Sequence, residues 1–169
     1  MRNRVIFVSY RRDDTGPFAL ALRSELDLRL QGMPVFLDLN RIQGGDAWSS
    51  VLEDALAKTK VVVALIGADW AGAQADGTAR IQAEDDWVAR EVAHGLRAQA
   101  ILPLLVNGAS LPDATSLPPS LQALNSVQAL PLRTQSWEAD LRMICDTVQV
   151  PCMGNATTAP VMKEFFNTQ

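Results

Sequence analysis

Apolar runs of strand length alternate with stretches of helical period along most of this chain. The run Val61–Ile66 is the clearest strand, because it is uncharged and rich in β-branched residues. Such alternation builds a parallel sheet with helices on both faces and right-handed crossovers. The sequence therefore predicts an α/β chain whose open parallel five-stranded sheet has the strand order 2-1-3-4-5. The predicted strands are 5–9, 34–38, 60–66, 100–106 and 127–132.

The connections between these strands follow from the same pattern. Pro17 suits the start of the first helix, so Tyr10–Gly16 is predicted to be a loop. A longer loop is expected at Gly67–Glu84, ahead of a third helix at Asp85–Leu96. Pro103 places the fourth strand near the sheet edge or at a bulge.

Length and composition exclude several classes of protein. The chain has 169 residues and a net charge of -4, which suits one domain over residues 1–149 and argues against binding to nucleic acid. Residues 150–169 are expected to be a linker or tail, of the kind that leads to a further domain. No apolar stretch approaches the ~20 residues of a membrane span, and no signal peptide is recognisable, so a cytoplasmic location is expected. Cys145 and Cys152 are too few for a disulfide framework or a zinc site.

The predicted strand order places a crevice. The chain leaves the first and third strands in opposite directions, and ligands of such sheets bind at the carboxyl ends of those strands. Trp87 and Glu91 are one turn apart in the third helix and are expected to border this crevice. The simpler interpretation is that Trp87 is a partly buried anchor and Glu91 a solvated surface acid. The other residues expected at the crevice are Tyr10, Arg11, Arg12 and Trp70.

A family resemblance is carried by segments in chain order. Ser9–Arg12 resembles the first signature of Toll/interleukin-1 receptor (TIR) domains. Val35–Asp38 with the glycine-bearing loop Leu39–Asp46 resembles the second signature, the BB loop. Asp86–Val92 resembles the helix of the enzymatic, NAD-cleaving TIR branch, which has many bacterial members. The resemblance covers Val5–Leu132 and implies a flavodoxin-like fold.

The resemblance also implies an activity. Enzymatic TIR domains cleave the bond between nicotinamide and ribose in NAD+, often in antiphage defence or immune signalling, and self-assembly activates them. NAD+ is then the substrate, and no cofactor or metal is expected. Glu91 matches the catalytic glutamate of the family. Together with the predicted crevice, the resemblance implies that the residues in contact with the substrate are Ser9, Tyr10, Arg11, Arg12, Asp38, Trp70 and Trp87. The residues expected in the assembly loop are Ile42, Gly44 and Gly45. Homotypic TIR–TIR contacts are the expected partners, together with a sensor domain or partner protein, and no membrane contact is expected.

The chemistry needs only one carboxylate. Nicotinamide leaves as a neutral molecule from a cationic linkage, so no general acid is required, unlike in ordinary glycoside hydrolysis. We expect Glu91 to stabilise the positive charge that develops on the ribose, and Trp87 to stack on the nicotinamide ring.

Several roles stay open at the level of sequence. Arg11 or Arg12 is expected to hold the pyrophosphate, but either could instead pair with Asp13, Asp14 or Asp38 to order the loop. Trp70 is expected either to contact the ligand or to cover the core. Glu91 and His94 have the Glu-x-x-His spacing of di-iron proteins, but such sites need a second motif. The product, linear or cyclic ADP-ribose, is not determined.

Two other classes of protein remain as alternatives. A non-catalytic interaction module would use the segment Leu39–Trp48 to recruit other TIR domains or to interfere with host signalling. A response-regulator receiver shares the strand order, but it needs an aspartate where the third strand ends, and here that strand ends in Leu65-Ile66-Gly67.

Overall fold

The protein is built on one parallel sheet. A computed structural model describes residues 5–37 and 46–149, except for the side chains of residues 46–49, 51 and 52. The strands are β1 (Val5–Ser9), β2 (Val35–Leu37), β3 (Thr59–Ile66), β4 (Ile101–Val106) and β5 (Leu130–Leu132). All neighbours are parallel and the order is β2-β1-β3-β4-β5, which confirms the predicted flavodoxin-like topology.

Helices cover both faces of the sheet. They are α1 (Arg12–Arg29), α2 (Asp46–Ala57), α3 (Trp87–Arg97) and α4 (Trp137–Gln149). Short 3₁₀ helices lie at Arg80–Gln82, Ala114–Ser116, Pro119–Ser126 and Thr134–Ser136. No helix among the described residues is both long and apolar enough to cross a bilayer.

The side chains of β1 alternate between two cores, as the period of a strand requires. Ile6 and Val8 are buried in the core beneath α1 and α4, whereas Phe7 is buried with Leu56 of α2. A further core joins β3 to α3 through Ala64, Ile66 and aliphatic residues of the helix. Helices α2 and α3 therefore cover one face of the sheet, and α1 and α4 the other.

The register of the central strands brings their carboxyl ends together. Ser9, the last residue of β1, lies opposite Ala64 of β3, and Val8 lies opposite Leu37, the last residue of β2. The segments that follow β1 and β3 therefore start from the same edge of the sheet, where the crevice was predicted.

Helix α1 begins earlier than predicted, at Arg12 rather than near Pro17. The carbonyl of Arg11 accepts hydrogen bonds from the amides of Asp14 (3.0 Å) and Thr15 (2.8 Å), which closes a helical turn ahead of the proline. Thr15 then departs from helical geometry (φ -126°, ψ 17°), so the helix is kinked there and Pro17 lies beyond the kink. The predicted loop Tyr10–Gly16 was wrong from Arg12 onwards, because backbone hydrogen bonds form a helical turn ahead of the proline.

Pro103 lies in β4, opposite Ala64 of β3 and without a change of register. Strand β4 is one strand in from the edge strand β5, so the proline is next to the edge and not at a bulge. The proline-rich segment after β4 forms two of the 3₁₀ helices, where at most one short helix was expected.

Candidate functional site

Asp86 starts the helix that carries the candidate catalytic residue. It has extended geometry (φ -70°, ψ 115°), and its side chain accepts a hydrogen bond from the amide of Ala89 at 3.1 Å. An aspartate in this position satisfies one of the free amides of the first helical turn and suits the helix dipole. The helix therefore begins at Trp87, two residues later than the sequence pattern suggested.

Glu91 lies on the face of α3 that packs against the sheet. One turn after it, a side chain at Gly95 would approach Val62 of β3 to 3.0 Å, and one turn before it, Trp87 packs against the cluster of Phe7 and Val62. Residues four apart share a helical face, so Glu91 lies between these two contacts. It is 0% exposed. Glu91 is thus a buried carboxylate and not a solvated surface acid.

Trp87 has a different environment from that of Glu91. Its ring is half-buried, and the guanidinium of Arg90 lies over it at 4.9 Å from the ring centroid. A surface groove of about 680 Å³ passes along α3, and Trp87 and Arg90 are among the residues that line it. One face of the indole therefore already holds a cation. Glu91 is not among the residues that line this groove.

Each nitrogen of the Arg11 guanidinium donates a hydrogen bond to another part of the chain. Its Nε donates to the carbonyl of Trp70 at 2.6 Å, and its two terminal nitrogens donate to the two carboxylate oxygens of Asp86 at 3.0 Å each. The side chains of Arg11 and Asp86 are only 3% and 7% exposed. The partner of this arginine is therefore Asp86, and not one of the three nearby acids considered from the sequence.

Ser9 and Tyr10 point to opposite faces of the sheet. Tyr10 belongs to the core beneath α1, together with Ile6 and Val8. Ser9 alternates with it and so lies on the side of α3, where it is 0% exposed, like Glu91. Only Ser9 of this pair shares a face of the sheet with the candidate catalytic carboxylate.

Trp70 is part of the core, at 1% exposure, among residues of α3 and the 3₁₀ helices. Arg12, in contrast, is exposed at the first position of α1. Trp70 and Arg11 are therefore held within the protein, whereas Arg12 is accessible from the surface.

Buried polar atoms remain near the exits of β1 and β3. Those without a hydrogen-bond partner among the described residues include Ser9 Oγ, Thr15 Oγ1 and Trp70 Nε1. Such atoms are uncommon in cores, since each loses its contacts with water, and they are more frequent at functional sites. These three atoms belong to the end of β1 or to the segments that follow β1 and β3, where the crevice was predicted.

Asp14 joins the segments that follow β1 and β3. Its two carboxylate oxygens accept hydrogen bonds from the amides of Gly67 and Asp69, both at 3.0 Å. This role of Asp14 was not predicted, and Asp86 was expected only as a charge at the start of a helix. The preference for aspartate just before a helix could have predicted the hydrogen bond between Asp86 and the Ala89 amide. The long-range contacts of Asp86 with Arg11, and of Asp14 with the segment after β3, leave no local signal in the sequence.

Other predicted site residues lie outside the described part of the chain. They are Asp38, Ile42, Gly44 and Gly45. Within the described residues, no group of three or more histidine, cysteine, aspartate or glutamate side chains is arranged to hold a metal ion.

Comparison with known proteins identifies the family. The family model described as "TIR domain" matches residues 6–145. Among solved structures, the TIR domains of the activated Roq1 resistosome, which directly recognises the pathogen effector XopQ, are 15% identical with a TM-score of 0.59, covering 86% of this chain and 99% of that one. The TIR domain of the Toll-related receptor TRR-2 from Hydra magnipapillata is 12% identical with a TM-score of 0.57, covering 86% and 98%.

A third match is to part of a larger protein. The TIR-STING receptor from C. gigas, solved in complex with 2′,3′-cGAMP, is 19% identical with a TM-score of 0.54. The match covers 86% of this chain but only 39% of that receptor. At these identities the structural matches establish the fold, and the family model covers most of the chain. The chain belongs to the TIR-domain family.

Proposed function

We propose that this TIR domain cleaves NAD+ at the bond between nicotinamide and ribose. The observation that carries the proposal is the burial of Glu91 on the sheet-facing side of α3, one turn after Trp87. Away from water, a carboxylate stabilises a nearby positive charge far more strongly than it does at the surface.

The reaction places that charge on the ribose. As the C1′–N bond breaks, its electron pair returns to the nicotinamide nitrogen, and C1′ becomes an oxocarbenium-like centre. Glu91 stabilises this centre by its negative charge. Water then attacks C1′ and releases a proton to give ADP-ribose, or a nucleophile within the same molecule attacks C1′ to give a cyclic product.

Trp87 is proposed to bind the departing ring. The guanidinium of Arg90 over the indole illustrates that this ring can hold a flat cation. Nicotinamide is cationic only before the bond breaks, so this contact favours binding of the substrate over the free product. Arg12, exposed at the start of α1, is proposed to contact the pyrophosphate.

The burial of Glu91 also gives a physical reason for control by assembly. At 0% exposure its carboxylate meets a dinucleotide only after a local rearrangement of the protein. Homotypic TIR–TIR contacts would supply the free energy for that change, because a partner that binds the open form better shifts the population towards it. The proposed setting is bacterial antiphage defence or immune signalling.

The test is nicotinamide release from NAD+ at high protein concentration and under crowding. Glu91→Gln is expected to lower the rate by about 10²–10³-fold, as for loss of an electrostatic stabiliser. Its melting temperature should stay close to that of the wild type, because glutamine has nearly the same shape. Glu25→Gln, on α1 at the opposite face of the sheet, is the matched control and should keep full activity.

Two results would count against the proposal. Wild-type turnover by Glu91→Gln would remove the catalytic assignment. Absence of nicotinamide release by the wild type, even under crowding, would favour a non-catalytic interaction module instead.

A further inference from the structure

We infer that Arg11 and Asp86 are positioning residues, which fix helix α3 against the sheet so that Glu91 is aimed at the reacting ribose. This inference rests on the proposed NAD+ cleavage. It gives the two neighbouring arginines separate tasks, because Arg11 acts through α3 whereas Arg12 contacts the substrate directly.

The contacts of Arg11 favour a role within the protein over binding of a phosphate. Nε and both terminal nitrogens already donate hydrogen bonds within the protein, at 2.6 Å, 3.0 Å and 3.0 Å. The side chain is 3% exposed, and it would have to give up these buried hydrogen bonds to bind a phosphate. A bidentate arginine–carboxylate pair is also planar and directional, which makes it suited to fixing an orientation.

Asp86 passes this constraint into the helix. Its Oδ2 accepts from Arg11 and, at 3.1 Å, from the amide of Ala89 in the first turn of α3. Trp87 is the next residue in the chain, and Glu91 follows one turn later on a continuous helix. Because a helix is rigid over so short a distance, the orientation set at Asp86 determines where the carboxylate of Glu91 lies.

Arg11 connects segments that are far apart in the sequence. It is 75 residues from Asp86 and 59 residues from Trp70. Asp14, at the same end of α1, accepts hydrogen bonds from the amides of Gly67 and Asp69. The start of α1, the exit of β3 and the start of α3 are therefore held as one unit at the carboxyl edge of the sheet.

A positioning role has a kinetic consequence that a purely structural role lacks. Misplacing a catalytic group by about 1 Å can lower the rate by about 10²-fold, although the protein stays folded. Removing the pair should therefore lower kcat and leave KM for NAD+ nearly unchanged, since neither residue touches the substrate. Loss of Arg12, in contrast, should raise KM.

The experiment uses the whole chain and compares Arg11→Met, Asp86→Ser and the double variant. Serine keeps an oxygen to cap α3 but cannot bind the guanidinium. Each single change leaves one buried charge without its partner and should lower the melting temperature, whereas the double variant should recover most of that loss. The matched control is the same double change at the exposed pair Arg23 and Asp27 on α1, which lies 3.6 Å apart.

In the double variant we expect a recovered melting temperature together with a kcat lowered by about 10²-fold and a KM changed by less than about threefold. The control pair should show wild-type kinetics, and Arg12→Gln should raise KM by about tenfold. A wild-type kcat in the double variant with a recovered melting temperature would overturn the inference. So would a loss of activity that is seen only in the variants with a lowered melting temperature.

Amide hydrogen exchange separates this inference from the proposed function. The amides in the first turn of α3 should exchange faster in the double variant than in the wild type, whether or not NAD+ is cleaved. If the wild type releases no nicotinamide, the proposed function fails, and unchanged exchange in α3 would in addition overturn the positioning role. If the wild type is active and the double variant has full kcat, only the positioning role fails.

Discussion

The carboxylate of Asp14 occupies the space that a side chain at Gly67 would need. A Cβ atom added to Gly67 would lie 2.5 Å from each oxygen of Asp14, and the same carboxylate accepts a hydrogen bond from the Gly67 amide at 3.0 Å. The requirement for glycine directly after β3 is therefore set by a residue in the first turn of α1.

Replacing Gly67 by alanine should push this carboxylate away and break its hydrogen bonds to the loop. We expect Gly67→Ala to lower the free energy of unfolding by about 2 kcal/mol, measured by urea denaturation. Gly16→Ala is the control, because the nearest atom would be 3.9 Å away. A Gly67→Ala protein as stable as the wild type would show that the loop adapts without cost.

The packing of α3 can be tested at Gly95. An added Cβ would lie 3.0 Å from Val62 Cβ and 3.2 Å from Ile101 Cβ, so the helix must move outward by a few tenths of an ångström. Gly95→Ala should cost about 1–2 kcal/mol despite the better helix propensity of alanine, and NAD+ cleavage should fall with it. Calorimetry and a turnover assay on the same sample check this, and a more stable protein with full activity would contradict it.

The pair of Arg133 and Asp140 predicts a dependence on pH. Hydrogen bonds from the side chain of Arg133 hold the pKa of Asp140 below its ordinary value. A depressed pKa stabilises the fold above the unfolded value of about 3.9, and that stabilisation is lost as pH falls through the folded value. The free energy of unfolding of Asp140→Asn should therefore be about 1–2 kcal/mol lower than that of the wild type at pH 7. This difference between the two proteins should become smaller below about pH 4.

Chemical denaturation at pH 7 and at acidic pH measures this gap. Asp27→Asn is the comparison, because its partner Arg23 is exposed and the pair should contribute little at any pH. A gap for Asp140→Asn that stays constant with pH would mean that the ion pair is not the source of its stabilisation.

The role of Trp87 can be separated from its packing. Trp87→Phe keeps an aromatic face and should retain most of the activity, whereas Trp87→Ala should lower kcat/KM for NAD+ by about tenfold or more. Because both variants lose packing against Phe7 and Val62, turnover is to be compared at temperatures well below both melting points. Equal activity of the two variants would exclude a stacking role.

Control by assembly predicts a concentration dependence. Specific activity should rise with protein concentration if, as proposed, a neighbouring copy opens the site around Glu91. Ile42→Ala and Gly45→Ala in the predicted assembly loop should reduce this rise and leave the melting temperature nearly unchanged. Activity strictly proportional to concentration, and indifferent to both changes, would exclude this form of regulation.

The topology could be predicted from the sequence because it depends on local periodicity. Uncharged strands such as Val61–Ile66 and helical repeats identify their elements without knowledge of the rest of the chain. Periodicity does not fix where an element ends. Pro17 predicted a later start for α1, but hydrogen bonds to the Arg11 carbonyl begin the helix at Arg12. Local backbone hydrogen bonds decided the boundary.

The site was predictable only in part, for a related reason. The spacing of Trp87 and Glu91 is visible in the sequence, whereas the burial of Glu91 depends on how close α3 comes to Val62 at Gly95. The partner of Arg11 could not be chosen from the sequence, because three other acids were candidates and the one that it binds is 75 residues away. Contacts of this range leave no periodic signal.

The ion pair between Arg11 and Asp86 has a consequence for sequence variation among relatives. Loss of one partner leaves the other charge buried and unpaired, so relatives that lack the arginine should lack the aspartate as well. A chimera that takes its N-terminal segment from another TIR domain would face the same restriction and would need a compatible acid ahead of its third helix.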